Sequence, residues 1–241
     1  MGSRFEISAD LSRERYAPLM QRLIADGIPA EAVDIYEGRN RVVRLDDEPF
    51  PLNIKAFKVP HIINRIVYRT LRKSKARRAW EYAQRLTALG FNTPRPVGYA
   101  ETWHGLLLGA TYFVSEQVEG LHDLRRLDDE PLRNEIIDGV GALMADLHRA
   151  GVWMKDFSQG NILWRRTAGG SLEFYLVDIN RMAFGVKSHA TLMNNFRTVA
   201  DSDATVADIA RAYARHSGRD EAASIAEALT VRHRFIKSHQ R

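Results

Sequence analysis

Three oxygen-bearing side chains, Asp156, Asn161 and Asp178, stand where short apolar runs begin and end. A helix marked by Leu132, Ile136, Val140, Leu143 and Leu147 closes at Gly151. Asp156 follows, Asn161 stands five residues later, and the apolar run Ile162–Trp164 starts at once. A second run, Phe174–Val177, lies beyond a turn containing Gly169-Gly170, so the two read as a hairpin, and Asp178 comes directly after it. A loop bearing Asp and Asn beside a hairpin that ends in Asp can aim three oxygen ligands at one point. That donor set suits a hard cation such as Mg²⁺ bridging phosphates. Each residue alone has a plainer reading: a solvated loop acid, a turn asparagine and a strand-end cap. Their conjunction favours a site.

The elements that must position them come in blocks. Residues 10–26 read as a helix. Val33–Tyr36, Arg41–Leu45 and Leu52–Phe57 read as strands, with Gly38-Arg39-Asn40 turning between the first two. A helical stretch from about His61 to Leu89 follows. Its second half has Ser74 as N-cap and Ala76, Ala79, Trp80, Ala83, Leu86 and Leu89 as buried stripe. Gly90 ends it, and Pro94 and Pro96 forbid helix beyond. Gly98–Thr102 and Leu106–Gln117 read as strands, Gly109 as an interruption of the second, and Asp129 or Glu130 before Pro131 as the start of the strong helix. The last 50 or so residues read as two or three helices. Segregated strands and helices predict an α+β protein of two lobes rather than a doubly wound sheet.

The chain has 241 residues, 45% hydrophobic and 27% charged, and no cysteine, which excludes disulfides, thiol catalysis and cysteine metal sites. Its 35 basic and 30 acidic residues give +5, unevenly spread. From Pro49 to Trp80 there is no acid and nine bases: Lys55, Lys58, Arg65, Arg69, Arg72, Lys73, Lys75, Arg77 and Arg78. The rest, with 26 bases against 30 acids, is net −4. Such a segment predicts an anionic partner, with Arg65, Arg69, Arg72, Lys73, Lys75, Arg77 and Arg78 as acceptor or membrane contacts. MGSRFEISADLSRER has no apolar core for a signal peptide, Glu6 stands where myristoylation wants Ser or Thr, and Gly105–Val114 is too short to span a bilayer. The expectation is a cytoplasmic protein that touches a membrane from that side.

D-x-x-x-x-N before an apolar strand, then an Asp closing the next strand, resembles the catalytic loop and metal-binding Asp of protein-kinase-like phosphotransferases. The resemblance implies a small β-rich N-lobe (1–117), a mainly helical C-lobe (118–241), ATP and Mg²⁺. Asp156 would then be the catalytic base, and Asn161 and Asp178 the metal ligands. Lys55 resembles the lysine that meets nucleotide phosphates, with Glu81 as its ion-pair partner, although Arg77 and Arg85 compete for Glu81 at four-residue helical spacing. Gly38 would stand for a poor Gly-rich loop, and the backbone about Glu116 and Val118 would meet adenine. Met154, Lys155 and Ile179-Asn180 stand where protein kinases have His, Arg and Phe-Gly, which argues against regulation through an activation loop.

A narrower resemblance rests on Pro60-His61, Asn64-Arg65, the run Arg72 to Arg78, Gly90, Thr93-Pro94-Arg95-Pro96-Val97-Gly98-Tyr99 and Glu101. These are similar to the lipopolysaccharide core/Kdo kinase family, over about residues 35–185. That implies ATP-dependent phosphorylation of a Kdo or heptose hydroxyl of a lipopolysaccharide precursor of Kdo-lipid A type, on the cytoplasmic face of the inner membrane. The alternatives are a kinase-like enzyme acting on a soluble small molecule, a nucleotide-binding pseudokinase, and a nucleic-acid binder. No nucleic-acid module is recognisable, and no nucleic-acid partner is expected.

Overall fold

The computed structural model describes residues 2–38, 40–59, 73–105 and 107–239. The chain divides into two compact units, Met1–Ala88 with Thr93–Glu119, and Leu89–Asn92 with Gly120–Arg241.

In the first unit, α1 (Arg13–Ala25) and α2 (Lys75–Ala88) accompany six strands: β1 (Gly2–Ile7), β2 (Val33–Glu37), β3 (Asn40–Leu45), β4 (Leu52–Phe57), β5 (Pro96–His104) and β6 (Leu107–Glu116). They form one antiparallel sheet in the order β1-β5-β6-β4-β3-β2. Both helices start where a serine oxygen can take an otherwise unpaired amide. Ser12 Oγ accepts from Arg15 N–H, and Ser74 Oγ from Arg77 N–H at 3.0 Å. The period-two alternation of β4 divides its side chains between two cores. Leu52 and Ile54 join Val43, Val114 and the α1 residues Tyr16, Met20 and Leu23, whereas Phe57 packs with Ala76, Ala79 and Tyr99. Lys55 shares the Phe57 face, its Nζ 5.4 Å from that ring's centre.

Strand β1 carries little strand signal in the sequence: polar Ser3, Arg4 and Glu6 alternate with Phe5 and Ile7 at a sheet edge. Strand β6 runs on through Gly109, but its ladder with β5 slips by one residue there, between the pairs Glu101–Thr111 and Trp103–Leu108. A Cβ there would press on Thr102, whose Oγ instead accepts from Ala110 N–H at 3.0 Å. Residues 60–72 of the predicted 61–89 helix, with Arg65, Arg69 and Arg72, lie outside the described residues.

The second unit contains β7 (His122–Asp123), α3 (Arg133–Arg149), β8 (Val152–Met154), β9 (Ile162–Arg166), β10 (Leu172–Leu176), β11 (Met182–Phe184), α4 (His189–Met193), α5 (Asp203–Ser217) and α6 (Glu221–His239). The Asp129/Glu130-Pro131 start of α3 is corrected. Those acids belong to or follow a 3-10 turn over Leu127–Asp129, and the helix begins at Arg133. Pro131 is the reason, since the residue before a proline is driven to extended backbone and Glu130 sits at φ −81°, ψ 131°. Gly151 ends the helix at φ +69°, where only glycine is unstrained.

Helix α3 meets α5 at Gly141. A Cβ there would lie 2.5 Å from Ala212 Cβ and 2.7 Å from the Tyr213 nitrogen. A mid-helix glycine costs roughly 0.5–1 kcal/mol relative to alanine, so close helix approach is what keeps it. Gly141→Ala should therefore destabilise the protein by about 1–3 kcal/mol despite the gain in helix propensity. Urea unfolding of the two proteins measures it, and an unchanged or raised midpoint would contradict the close approach.

Candidate active site

Two short ladders hold the chemistry-bearing loops of the second unit. In the hairpin, Leu176 faces Ile162, so Asn161 and Asp178 leave the same end of it. Val177 N–H donates to the Asn161 carbonyl at 3.0 Å and closes that end. On the other side β8 pairs with β11, Met154 opposite Met182. Residues 155–161 and 177–181 are thereby fixed at both ends, and Asp156, Asn161 and Asp178 all lie within these two loops.

Asn161 is committed at one end of its amide. Its Nδ2 donates to the Asp156 carbonyl at 2.9 Å, which leaves Oδ1 as the atom with acceptor capacity for a ligand. Asp178 has φ 53° and ψ 38°, the sole left-handed non-glycine among the described residues. Such a conformation costs of order 1–3 kcal/mol and persists where surrounding structure imposes it. Asn180, buried, donates Nδ2 to Asp178 Oδ1 at 2.7 Å and orients the carboxylate. No group of three His, Cys, Asp or Glu side chains among the described residues would hold a metal by itself. One amide oxygen and one carboxylate are an incomplete oxygen set of the kind Mg²⁺ accepts when substrate phosphates complete it. The residues fit that ion.

Asp156 carries two arginines. Arg181 Nη1 donates to its Oδ2 at 2.9 Å, and Arg197 Nη2 lies 3.9 Å from its Oδ1. Arg197 comes from a stretch with little sequence signal, Asn195-Phe196-Arg197-Thr198. Three of these residues hold three carbonyls of the loop. Asn195 Nδ2 donates to Met154 O at 2.5 Å, Arg197 Nη2 to Lys155 O, and Thr198 Oγ to Phe157 O at 3.2 Å. Because Asn195 spends its donor on Met154, its Oδ1 accepts from His148 Nε2–H at 2.9 Å, and Tyr213 lies 3.1 Å from His148 Nδ1. His148 is a structural hydrogen-bonder of the loop. Burial holds its pKa below the ordinary 6.5, with the Asn195 hydrogen bond acting weakly in the other sense.

In the first unit, Lys55 lies on an interior strand, between Val42 of β3 and Phe113 of β6. A lysine that only guards a sheet edge against pairing would not sit there. Glu81 receives Lys73 Nζ at 2.7 Å and Arg77 Nε at 2.9 Å, the latter being the four-residue helical pair. Burial works against its charge, but these two cations outweigh it and hold its pKa below the usual carboxylate value. Of the other predicted contacts, Arg78 is buried and Lys75 half-buried. Gly38 turns the β2–β3 connection, its N–H donating to Asn40 O at 3.2 Å. Glu116 N–H donates to Arg95 O at 2.9 Å, and the Val118 carbonyl accepts from Gln117 Nε2 at 3.5 Å. Glu101 is buried on β5, and burial raises its pKa although Ser74 hydrogen-bonds it. Burial likewise pushes the neighbouring Tyr99 up to about 12.

An α+β chain with these loops has the protein-kinase-like fold, and comparison with known proteins agrees. WaaP in complex with acyl carrier protein is similar at TM-score 0.64 and 15% identity, over 96% of this chain and 99% of that one. A microcompartment-associated aminopropanol kinase gives TM-score 0.57 at 10% identity, over 90% and 86%. Rio2 kinase from Chaetomium thermophilum, in an ADP/Mg²⁺-phosphoaspartate complex, gives 0.52 at 17%, over 94% and 74%. No curated protein sequence matches. The model of the lipopolysaccharide kinase (Kdo/WaaP) family matches residues 54–215, and the chain belongs to that family. It is accordingly a kinase of sugar hydroxyls in the lipopolysaccharide core.

Two expectations follow. Asn195→Leu, which removes the Met154 and His148 partners together, should cost about 1–3 kcal/mol in urea unfolding and lower kinase turnover more than it raises the KM for ATP. Native His148 excludes a proton that the unfolded chain binds, so its contribution to stability is complete above about pH 6.5 and lost as pH falls below it. Between pH 7.5 and 5.5 the wild type should thus lose more stability than His148→Gln, and equal losses would refute a neutral buried imidazole.

Proposed function

We propose that the chain transfers the γ-phosphoryl group of ATP to a hydroxyl of an inner-core sugar, Kdo or heptose, of a lipopolysaccharide precursor. The observation that carries the reading is the hairpin register, which sets Asn161 and Asp178 at one end with Asp156 tied to Asn161 through its own carbonyl. Asp156 orients the acceptor hydroxyl and takes its proton as the new O–P bond forms and the bond to ADP breaks. Asn161 Oδ1 and Asp178 would hold Mg²⁺, which when bound neutralises phosphate charge. Lys55 meets the nucleotide phosphates, and Glu81, held by Lys73 and Arg77, is the acid of that unit able to exchange onto it. The turn at Gly38 covers the phosphates, and the backbone at Glu116 and Val118 receives adenine.

The segment from Arg65 to Arg78 is the face proposed for anionic acceptor or membrane contact. Arg65, Arg69 and Arg72 would carry most of it, since Lys73 and Arg77 are paired with Glu81 and Arg78 is buried. Each base near an anionic surface contributes roughly 1 kcal/mol. No helix among the described residues is long and apolar enough to cross a membrane, and the proposed location is cytoplasmic with peripheral contact to the inner membrane. A soluble cationic acceptor, such as an amino alcohol, fits this charge poorly.

Asp156→Asn should reduce phosphoryl transfer to Kdo-bearing lipid A by about 10²–10⁴-fold while ATP affinity by calorimetry stays within a few-fold. Full turnover in that variant would remove Asp156 from its role. Equal wild-type turnover of amino alcohols or aminoglycosides would remove the acceptor.

A further inference from the structure

Asp156 is the only carboxylate that Arg181 and Arg197 reach among the described residues. Two guanidiniums against one carboxylate leave an excess positive charge where the acceptor hydroxyl must lie. Two other arginines near the loop are matched one to one: Arg125, whose guanidinium lies over Gly160, pairs with Asp123, and Arg165 pairs with Glu173.

The two arginines are built differently. Arg197 is fixed: it donates to Lys155 O, stacks 5.6 Å from the Phe235 ring centre of α6, and its buried Nε has no hydrogen-bond partner among the described residues. Arg181 is 45% exposed, and Asp156 is its one side-chain partner among the described residues, so it can turn toward a ligand by opening that single pair. A mobile guanidinium beside a fixed one, both within reach of one carboxylate, is a ready fork for a planar or tetrahedral anion.

We propose that Arg181 and Arg197 recognise an acidic group, carboxylate or phosphate, carried by the acceptor close to the hydroxyl that is phosphorylated. They are specificity-determining residues. The incoming anion draws Arg181 away from Asp156 Oδ2, so the carboxylate becomes available to the hydroxyl proton when the right acceptor is seated. A neutral acceptor leaves the Asp156–Arg181 pair closed. The inference rests on Asp156 being the proton acceptor.

The test uses the full-length enzyme and three acceptors: intact Kdo-bearing lipid A, the same molecule with the Kdo carboxyl reduced to an alcohol, and the same molecule dephosphorylated. For the wild type, the modification that removes the recognised anion should lower kcat/KM, which tells carboxylate from phosphate. Arg181→Gln should lower kcat/KM for the intact acceptor by about 10- to 100-fold, mostly through KM. The preference for intact over modified acceptor should fall toward one, the KM for ATP should hold, and Arg181→Lys should restore part of the preference. Arg197→Gln should act in the same direction, with its thermal midpoint reported beside it because of its structural contacts.

A preference that survives Arg181→Gln, or a loss that appears in the KM for ATP, overturns the proposal. So does a wild type indifferent to both modifications. If Asp156→Asn is inactive while Arg181→Gln keeps its preference, only the anion site fails. If Asp156→Asn is fully active, the reading of Asp156 fails first.

Discussion

The pairing of β9 with β10 is the constraint on which the site depends. Leu176 opposite Ile162 fixes which residues emerge together from the end of the hairpin, and a slip of one position would send Asn161 and Asp178 to different faces. The hairpin alone would leave the two loops swinging at their far ends. The short β8–β11 ladder closes them, and the carbonyls between are held from outside by Asn195, Arg197 and Thr198. The left-handed Asp178 is the local expression of this enclosure, since both its neighbours in space and the Asn180 amide determine where its carboxylate points.

Electrostatics sets the two loops apart. Asp178 is oriented at Oδ1 by the neutral amide of Asn180. Asp156, on the other loop, sits between guanidiniums. Two carboxylates a few residues from one hairpin end are therefore oriented by different chemistry, one by an amide and the other by guanidiniums.

Much of this was legible in the sequence where the signal is local. The strands Val33–Glu37, Asn40–Leu45 and Leu52–Phe57 fall on their β-branched and aromatic runs, and Ser74 caps α2 through its own hydroxyl. The Asp-x-x-x-x-Asn spacing and the Asp after a buried strand pointed to the kinase-like fold and family because they are short-range features of one hairpin. Residues whose role is set by distant partners were not legible. Asn195 reads as one more polar residue in a helical tail, yet it is buried and bridges His148 to Met154, 41 residues away. Arg181 reads as a solvated base, and its pairing with Asp156 depends on the turn made by 178–181. Strand β1 escaped because an edge strand gains its hydrogen bonds from a neighbour some 90 residues on, not from its own composition. Pro131 misled in the opposite way: a local start signal was overridden by the extended backbone that the proline imposes on Glu130.

The tether at 195–198 has a consequence for the order of assembly. Its partners lie 41 residues earlier in the chain, and Arg197 is itself braced by Phe235 on α6, while Arg232 of that helix donates to the carbonyl of Ala200 at 2.6 Å and pairs with Asp203. A ribosome delivers these elements after the hairpin. The hairpin with its Asn and Asp can form early from local contacts, but the carbonyls of 154, 155 and 157 wait for chain not yet made. The tethered form of the loop thus waits for chain made after the hairpin, and a nascent chain that already holds Asp156, Asn161 and Asp178 still lacks it.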